Sequence, residues 1–508
     1  MSVGNAAWSG APLSARVFRS SWISVGGQAM QGVVRLGSTM VLARLLTPDA
    51  YGLVAMVAVL TGFIGLFKSL GLATATIQAP DLTEEDLNSL FWVNAGVGVA
   101  AMAITTAFGP ALAWLYNEPR VIGLTMALSS TFMLAGLGVQ HGALLRRQFR
   151  FGTSVSIEVA AVAAGAVAAV TLAANAFGPW SLVGGVVATE AVSLVLVWSV
   201  TDWRPARPGF DPATWRLVAL GRDLTQFNVL NYWARNLDNF LIGRYWGAIE
   251  LGFYGRAYQL LLLPLQQVTT PLSPVAIAAL SRLQDDDRRF RQAYMRILEK
   301  VAMACLPLTT FLFFNATDVV RIALGPRWLG AAPMFMALAG AGLVQPISAT
   351  FIWLLISQGR RAELRRWSIL GSALSCAAIA AGLSGGGVGV AAAYAACEVA
   401  VRAPLLAWMV GRRGPVRVAD MLRAISPGAA AAASVAATCG LLGLAGASGG
   451  PVWLLASLTL SMTAAAATFA LLPSGRRALM DVWGVMRPRR APAGSSDRPE
   501  GHAEAVLL

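Results

Sequence analysis

The sequence predicts an all-α polytopic membrane protein of about fourteen transmembrane helices, two parallel six-helix lobes plus two C-terminal helices. Three observations carry that expectation. Of 508 residues, 56% are hydrophobic and only 13% charged, with mean hydropathy +0.62, which leaves too little polar surface to coat a soluble globule. Glycine, proline and charge interrupt this apolar background at the spacing of a bilayer crossing, which takes about 20 mostly apolar residues. Finally, Arg35, Arg44 and Gly52 recur 200 positions later as Arg235, Arg244 and Gly252, with apolar residues between them in both copies.

In chain order, a cytoplasmic segment (1–19) precedes an N-lobe (20–200) with spans at 20–44, 51–70, 87–108, 121–141, 154–174 and 179–200. No A-x-A-like cleavage site follows a compact apolar core, so the first span is expected to stay. The connector 201–222, TDWRPARPGFDPATWRLVALGR, has three prolines and then an amphipathic turn, which suits a cytoplasmic linker on the membrane surface. A C-lobe (223–410) follows, with spans at 223–245, 252–275, 296–314, 331–356, 367–384 and 387–409. Residues 411–475 add spans 424–446 and 452–472, and 476–508 reads as a disordered basic tail. The basic clusters at 146–150, 282–300, 360–366, 402–423 and 476–498 all fall on one side, which the positive-inside rule makes cytoplasmic, with both termini there. Asp81, Glu84, Glu85 and Asp86 are a local acidic exception on that side.

Composition also excludes function classes. The +14 charge is nearly all arginine, spread over connectors and tail rather than one face, so nucleic acid is not an expected partner. Lys68 follows Phe67 and Lys300 follows Glu299, so no Gly-Lys-Ser/Thr loop exists to cradle ATP. His141 and His502 stand alone, and Cys305, Cys376, Cys397 and Cys439 lie in apolar runs without paired spacing; no cofactor, metal or disulfide is expected. Asp285, Asp286 and Asp287 are consecutive and followed by Arg288 and Arg289, which reads as a solvated turn rather than a metal site.

The stretches ARLLTPDAYGLVAM (43–56), KSLGLATATIQ (68–78), LLRRQFRF (144–151), RNLDNFLIGRYWGAIELGFYGRAYQL (235–260) and ISQGRR (356–361) resemble the Wzx-type polysaccharide transporters. That family belongs to the multidrug/oligosaccharidyl-lipid/polysaccharide exporter superfamily, with MATE antiporters and the lipid II flippase, and the likeness covers most of 15–475. The resemblance implies a bacterial inner-membrane flippase, not an enzyme. Such carriers move undecaprenyl-diphosphate-linked oligosaccharide repeat units from the cytoplasmic to the periplasmic leaflet for exopolysaccharide, capsule or O-antigen (lipopolysaccharide) synthesis, by alternating access. Two alternatives stay open: a cation-coupled, MATE-like exporter of small molecules, with an acidic cavity, and a membrane enzyme. The enzyme would need a large loop or intramembrane histidine that is missing here.

Within that frame the arginines are the first candidates. A charge at mid-bilayer costs roughly 2.5–3.5 kcal/mol, so it calls for a partner or a task, and guanidinium is a planar, permanent, bidentate partner for a diphosphate. Arg35 and Arg235 are expected to hold the head group; Arg44 and Arg244, about 13 Å further along a helix, either receive it on exit or snorkel to the outer interface. Gln28, Asn228 and Asn231 offer polar groups for sugar hydroxyls or for helix-to-helix hydrogen bonds. Asp238, Glu190 and Glu398, with Glu158 nearer an interface, are candidates for coupling to H⁺ or Na⁺, or else members of fixed salt bridges.

Overall fold

The structure, a computed structural model, describes residues 13–66, 76–77, 83–206, 212–444, 449–473 and 475–476, the side chains at 13–25, 212–231 and 234 excepted. Lys68, Asp81, the side chains of Asn228 and Asn231 and the tail from 477 lie outside the described residues. Among those residues every regular element is helical. The chain divides into two compact units, Met1–Gly252 and Phe253–Leu508.

The first unit holds α1 (Leu13–Leu45), α2 (Pro48–Gly65), α3 (Glu84–Tyr116), α4 (Val121–Arg147), α5 (Phe151–Ala174), α6 (Pro179–Val200) and the first part of α7 (Pro212–Arg282). Helix starts follow local chemistry. Pro48 opens α2, where its missing N–H costs nothing. A capping box opens α3: Asp86 N donates to Thr83 Oγ1 at 3.1 Å, and Thr83 N donates to the Asp86 carboxylate at 3.0 Å. The acids Glu84, Glu85 and Asp86 therefore have a structural reason to stand among basic connectors, because they occupy the positive end of a helix dipole. Helix α3 lies along α4, α5 along α6, and α1 on α5. Small residues set the α3–α4 distance, since a Cβ on Gly98 would sit 2.6 Å from the Phe132 carbonyl oxygen and one on Gly136 2.7 Å from that of Asn94. Helix α3 leaves the large apolar side chains Val99, Ile104, Phe108 and Trp114 exposed, as a helix among lipid can. His141 is buried against Trp198, ring centroids 4.5 Å apart, and is a packing residue.

The second unit continues α7 and adds α8 (Asp287–Phe314), α9 (Ala316–Ala323), α10 (Ala332–Gly342), α11 (Gln345–Ser357), α12 (Arg361–Gly382), α13 (Gly386–Cys397), α14 (Ala403–Gly411), α15 (Val418–Leu444) and α16 (Pro451–Leu471). Its core gathers Phe290, Tyr294, Trp328 and Phe335, all fully buried. Asp286 caps α8 by accepting from Arg288 N and Arg289 N at 3.1 and 3.0 Å, so the aspartate triplet is a helix start.

Eleven helical segments among the described residues are long and apolar enough to cross a membrane. The chain is thus a multi-pass, all-α membrane protein. Two of the eleven, Arg235–Arg282 with 48 residues and Arg361–Gly411 with 51, each run across two of the spans expected from sequence. Within the first, the backbone breaks at Gly247, with φ 81° and ψ −174°, a conformation open in practice only to glycine. Within the second, a 3₁₀ turn at Leu383–Gly385 separates α12 from α13. The arginine-bearing α1 is not among the eleven.

In the 201–222 connector, residues 201–206 have no regular structure and are pinned to the start of α3, with Trp92 Nε1 donating to Ala206 O at 2.8 Å and Ala206 N to Asn88 Oδ1 at 2.9 Å. From Pro212 the backbone is already the helix of α7.

Candidate functional site

The repeated segments meet within the first unit, and they meet reciprocally. A Cβ on Gly52 would lie 1.7 Å from the Ala248 carbonyl oxygen, and one on Gly252 would lie 2.0 Å from that of Pro48. Residues 48 and 248, like 52 and 252, are equivalent in the repeat, so each glycine packs on the other copy's residue four positions earlier. This reciprocity is the mark of a local two-fold relation between the copies. Further along, Tyr232 donates to Val59 O at 2.7 Å, and Gly243 lies against Tyr116 and Met56. The helix that carries Arg235 and Asp238 is thereby fastened to α2.

On this frame the Arg35 and Arg235 guanidiniums are both exposed, and neither forms an ion pair among the described residues. Gln28, two helical turns before Arg35 on the same side of α1, is exposed as well, while Gln31 between them donates to Glu158 at 3.3 Å. Glu158 is shared with Arg146 at 3.2 Å, which makes it part of a fixed, half-exposed pair. Arg44 is exposed on the last turn of α1. Arg244 lies over the ring of Tyr245 at 5.7 Å, with Trp246 exposed beside it, the aromatic company of a membrane interface.

The acids sit in different settings. Asp238 is buried and accepts from Asn239 N at 2.8 Å, and Glu190 is half-buried on α6. In the second unit Glu398 is 4% exposed and ion-paired with Arg402 inside a π-helical turn, Glu398–Arg402. The Arg402 guanidinium also lies over Trp367 at 5.8 Å, and nearby Tyr394 accepts from Gln345 at 3.2 Å. A π-turn in mid-helix often marks a functional position, and here it brings the i and i+4 charges face to face.

A cleft of about 660 Å³ opens between α2, α3 and the 233–240 turns. Phe63, Ile104, Phe108, Tyr116, Trp233 and Phe240 set its character, and none of the expected polar site residues lines it. Hydrocarbon fits there; an anionic head group has no counter-charge.

Two features escaped the sequence reading. One is a bridge at the loop end of the first unit, where Arg120 reaches Asp49 at 2.8 Å and Glu118 at 2.7 Å. The hydrogen bond from Arg120 holds the Glu118 carboxyl below its usual range and raises the guanidinium in turn. The other is the gathering of Arg288, Arg291, Arg296, Arg417 and Arg423, read from sequence as topology signals alone, around one pocket.

The chain is thus a many-spanning helical membrane protein with internally repeated, glycine-packed segments and exposed arginines. The polysaccharide biosynthesis protein family matches residues 41–333, and the chain belongs to that family. Among similar proteins are the teichuronic acid biosynthesis protein TuaB of Bacillus subtilis (25% identical, over 67% of this chain and 71% of TuaB) and the lipopolysaccharide biosynthesis protein WzxC of Escherichia coli (24%, over 63% and 65%). The succinoglycan biosynthesis transport protein ExoT of Rhizobium meliloti is 26% identical over 73% of this chain and 75% of its own. The fold is similar to that of the lipid II flippase MurJ in an inward closed conformation, TM-score 0.72 at 12% identity, covering 90% of this chain and 99% of MurJ. An inward-facing MATE transporter aligns less well, TM-score 0.56 at 13% identity, over 77% and 96%.

Proposed function

We propose that this protein is an inner-membrane flippase that carries undecaprenyl-diphosphate-linked oligosaccharide repeat units from the cytoplasmic to the periplasmic leaflet. Both termini lie in the cytoplasm in this reading, and two six-span lobes joined through 201–222 alternate in access. The observation that carries it is the pair Arg35 and Arg235, repeat-equivalent and exposed, with no carboxylate of the described chain taking up their charge. Family membership and the MurJ-like fold support the same substrate class. Exposed guanidiniums without an ion pair among the described residues suit a diphosphate, which offers several oxygens to bidentate donors.

The neighbouring roles follow. Arg44 and Arg244 meet the head group at the periplasmic end, and Gln28, Asn228 and Asn231 serve the sugar hydroxyls. Asp238 and Glu190 are the candidates for a coupling ion, H⁺ or Na⁺; Glu398, locked to Arg402, holds the fold of its own unit unless that pair opens. The membrane potential alone provides roughly 2.3 kcal/mol per charge per 100 mV, so coupling needs no nucleotide.

The direct test is translocation of a fluorescent undecaprenyl-diphosphate oligosaccharide by the purified full chain in proteoliposomes. Protein-dependent movement between leaflets is the expected result. Export of amphipathic cations without any movement of the lipid-linked glycan would overturn the reading in favour of a MATE-like exporter.

A further inference from the structure

The second unit contains a pocket of about 970 Å³ between the first turns of α8, the turn at 414–417 and the first turns of α15. Five arginines line it, Arg288, Arg291, Arg296, Arg417 and Arg423, against the two aspartates Asp287 and Asp420. Sequence spacing explains the ledge on α8: Arg288, Arg291 and Met295 succeed one another at intervals of three and four, which places them along one side of the helix. The opposite side buries Phe290, Tyr294, Leu298 and Val301 completely. A Cβ on Gly428 would stand 2.7 Å from the Ala302 carbonyl oxygen, so the backbones of α15 and α8 touch directly. The walls are therefore core elements, held in place by packing.

The charges in the pocket do not balance. Asp420, 4% exposed, is spent inside the wall: it takes the Arg291 guanidinium and accepts from Arg417 N at 3.0 Å. Arg288, Arg417 and Arg423 have exposed side chains and form no ion pair within 4 Å among the described residues, Arg423 acting on the already paired Asp420 only at longer range. Arginines crowded around one cavity repel each other, and an oxyanion with several acceptor oxygens relieves that repulsion while satisfying their forked donors. The surroundings place the pocket at the depth of lipid head groups. Exposed Trp408 lies under the Arg412 guanidinium at 5.2 Å, and Leu422, next to Arg423, is 64% exposed. An amphipathic ring under a cation beside an open aliphatic side chain is the composition of a membrane interface.

We propose that this pocket binds the phosphate-bearing head group of a membrane lipid, with Arg288, Arg417 and Arg423 as its ligands. The chemistry is shared by two sources, a bulk anionic phospholipid and the polyprenyl diphosphate of a lipid-linked glycan. Binding at this site does not require the transport reading; only the second source touches it.

The test is native mass spectrometry of the full chain titrated separately with phosphatidylglycerol, undecaprenyl diphosphate and uncharged diacylglycerol. The native chain is expected to retain at least one anionic lipid about tenfold more tightly than diacylglycerol. Arg288→Gln, Arg417→Gln and Arg423→Gln combined is expected to remove that preference, while Arg412→Gln with Arg413→Gln, at the same interface but outside the pocket, leaves it in place. Loss confined to phosphatidylglycerol assigns the site to bulk lipid, and loss confined to undecaprenyl diphosphate to the glycan carrier. Unchanged preference in the triple variant, or an equal loss in the Arg412/Arg413 control, overturns the proposal. Should the triple variant fail to fold, Arg288→Gln and Arg423→Gln singly are each expected to weaken binding about threefold; native affinity in both overturns it as well.

Discussion

The segments 35–52 and 235–252 are copies of one pattern, and comparing them separates what the repeat needs from what each copy has added. Both keep an exposed arginine, a second arginine nine positions on and a glycine that admits the other copy's backbone. They break the helix by different means. The first copy leaves α1 through Leu46 and Thr47 and restarts on Pro48; the second turns on Gly247 alone, at φ 81°. Only the first copy has Asp49, which Arg120 clasps; the equivalent position in the second is Ile249, 55% exposed. Close backbone contact is thus common to both copies, whereas the Arg120 clasp belongs to the first.

The largest effects should come from the shared contact. Gly52→Val and Gly252→Val each drive side-chain atoms into a carbonyl, and each is expected to cost roughly 3 kcal/mol, read as a lowered unfolding midpoint in detergent. Gly37→Ala, where nothing lies within 4 Å, should show no loss. Unequal costs at 52 and 252 would mean that the reciprocity is superficial. A smaller effect belongs to the second copy's break: Gly247→Ala forces a Cβ into a glycine-only conformation and should cost about 1–3 kcal/mol. The same measurement on Thr47→Ala, with extended backbone and no side-chain cap bond, should show almost no change.

The smallest effect is the first copy's clasp. Arg120 is exposed and its two acids are half-buried at the surface, so Asp49→Asn should cost only about 0.2–1 kcal/mol, and less in high salt. Glu118 adds a pH signature. Its folded-state carboxyl titrates below the unfolded one, so its contribution is complete above the ordinary carboxylate range, about pH 4, and disappears as pH falls through the lowered value. The stability gap between the native chain and Glu118→Gln should therefore close on acidification; a gap that widens would contradict the assignment.

The fold was legible in the sequence because hydropathy and its Gly/Pro punctuation are local signals. Pro48, Pro179 and Pro451 each open a helix where a span was expected to begin nearby. The break at Gly247 falls in the gap between the expected spans 223–245 and 252–275, and what the sequence does not announce is that this single glycine makes the turn at φ > 0. Of the candidate site, the sequence marks Arg35 and Arg235 as charges inside apolar runs, and the repeat relates their copies without announcing the direct backbone contact at Gly52 and Gly252. The Arg120 clasp and the five-arginine pocket were not readable, because each joins residues far apart in the chain that only packing brings together. Nothing in the sequence relates Arg288 to Arg423; the packing of Gly428 on Ala302 brings their helices to one pocket.

The central claim is that repeat-equivalent arginines receive the anionic head group, and it is tested most directly by comparing Arg35→Gln, Arg235→Gln and the double variant with the native chain in the same glycolipid translocation assay. The expected result is a loss of about tenfold or more for each single variant and a greater loss for the double, with unfolding midpoints unchanged. Native rates in the double variant would contradict the account and return both arginines to a structural role.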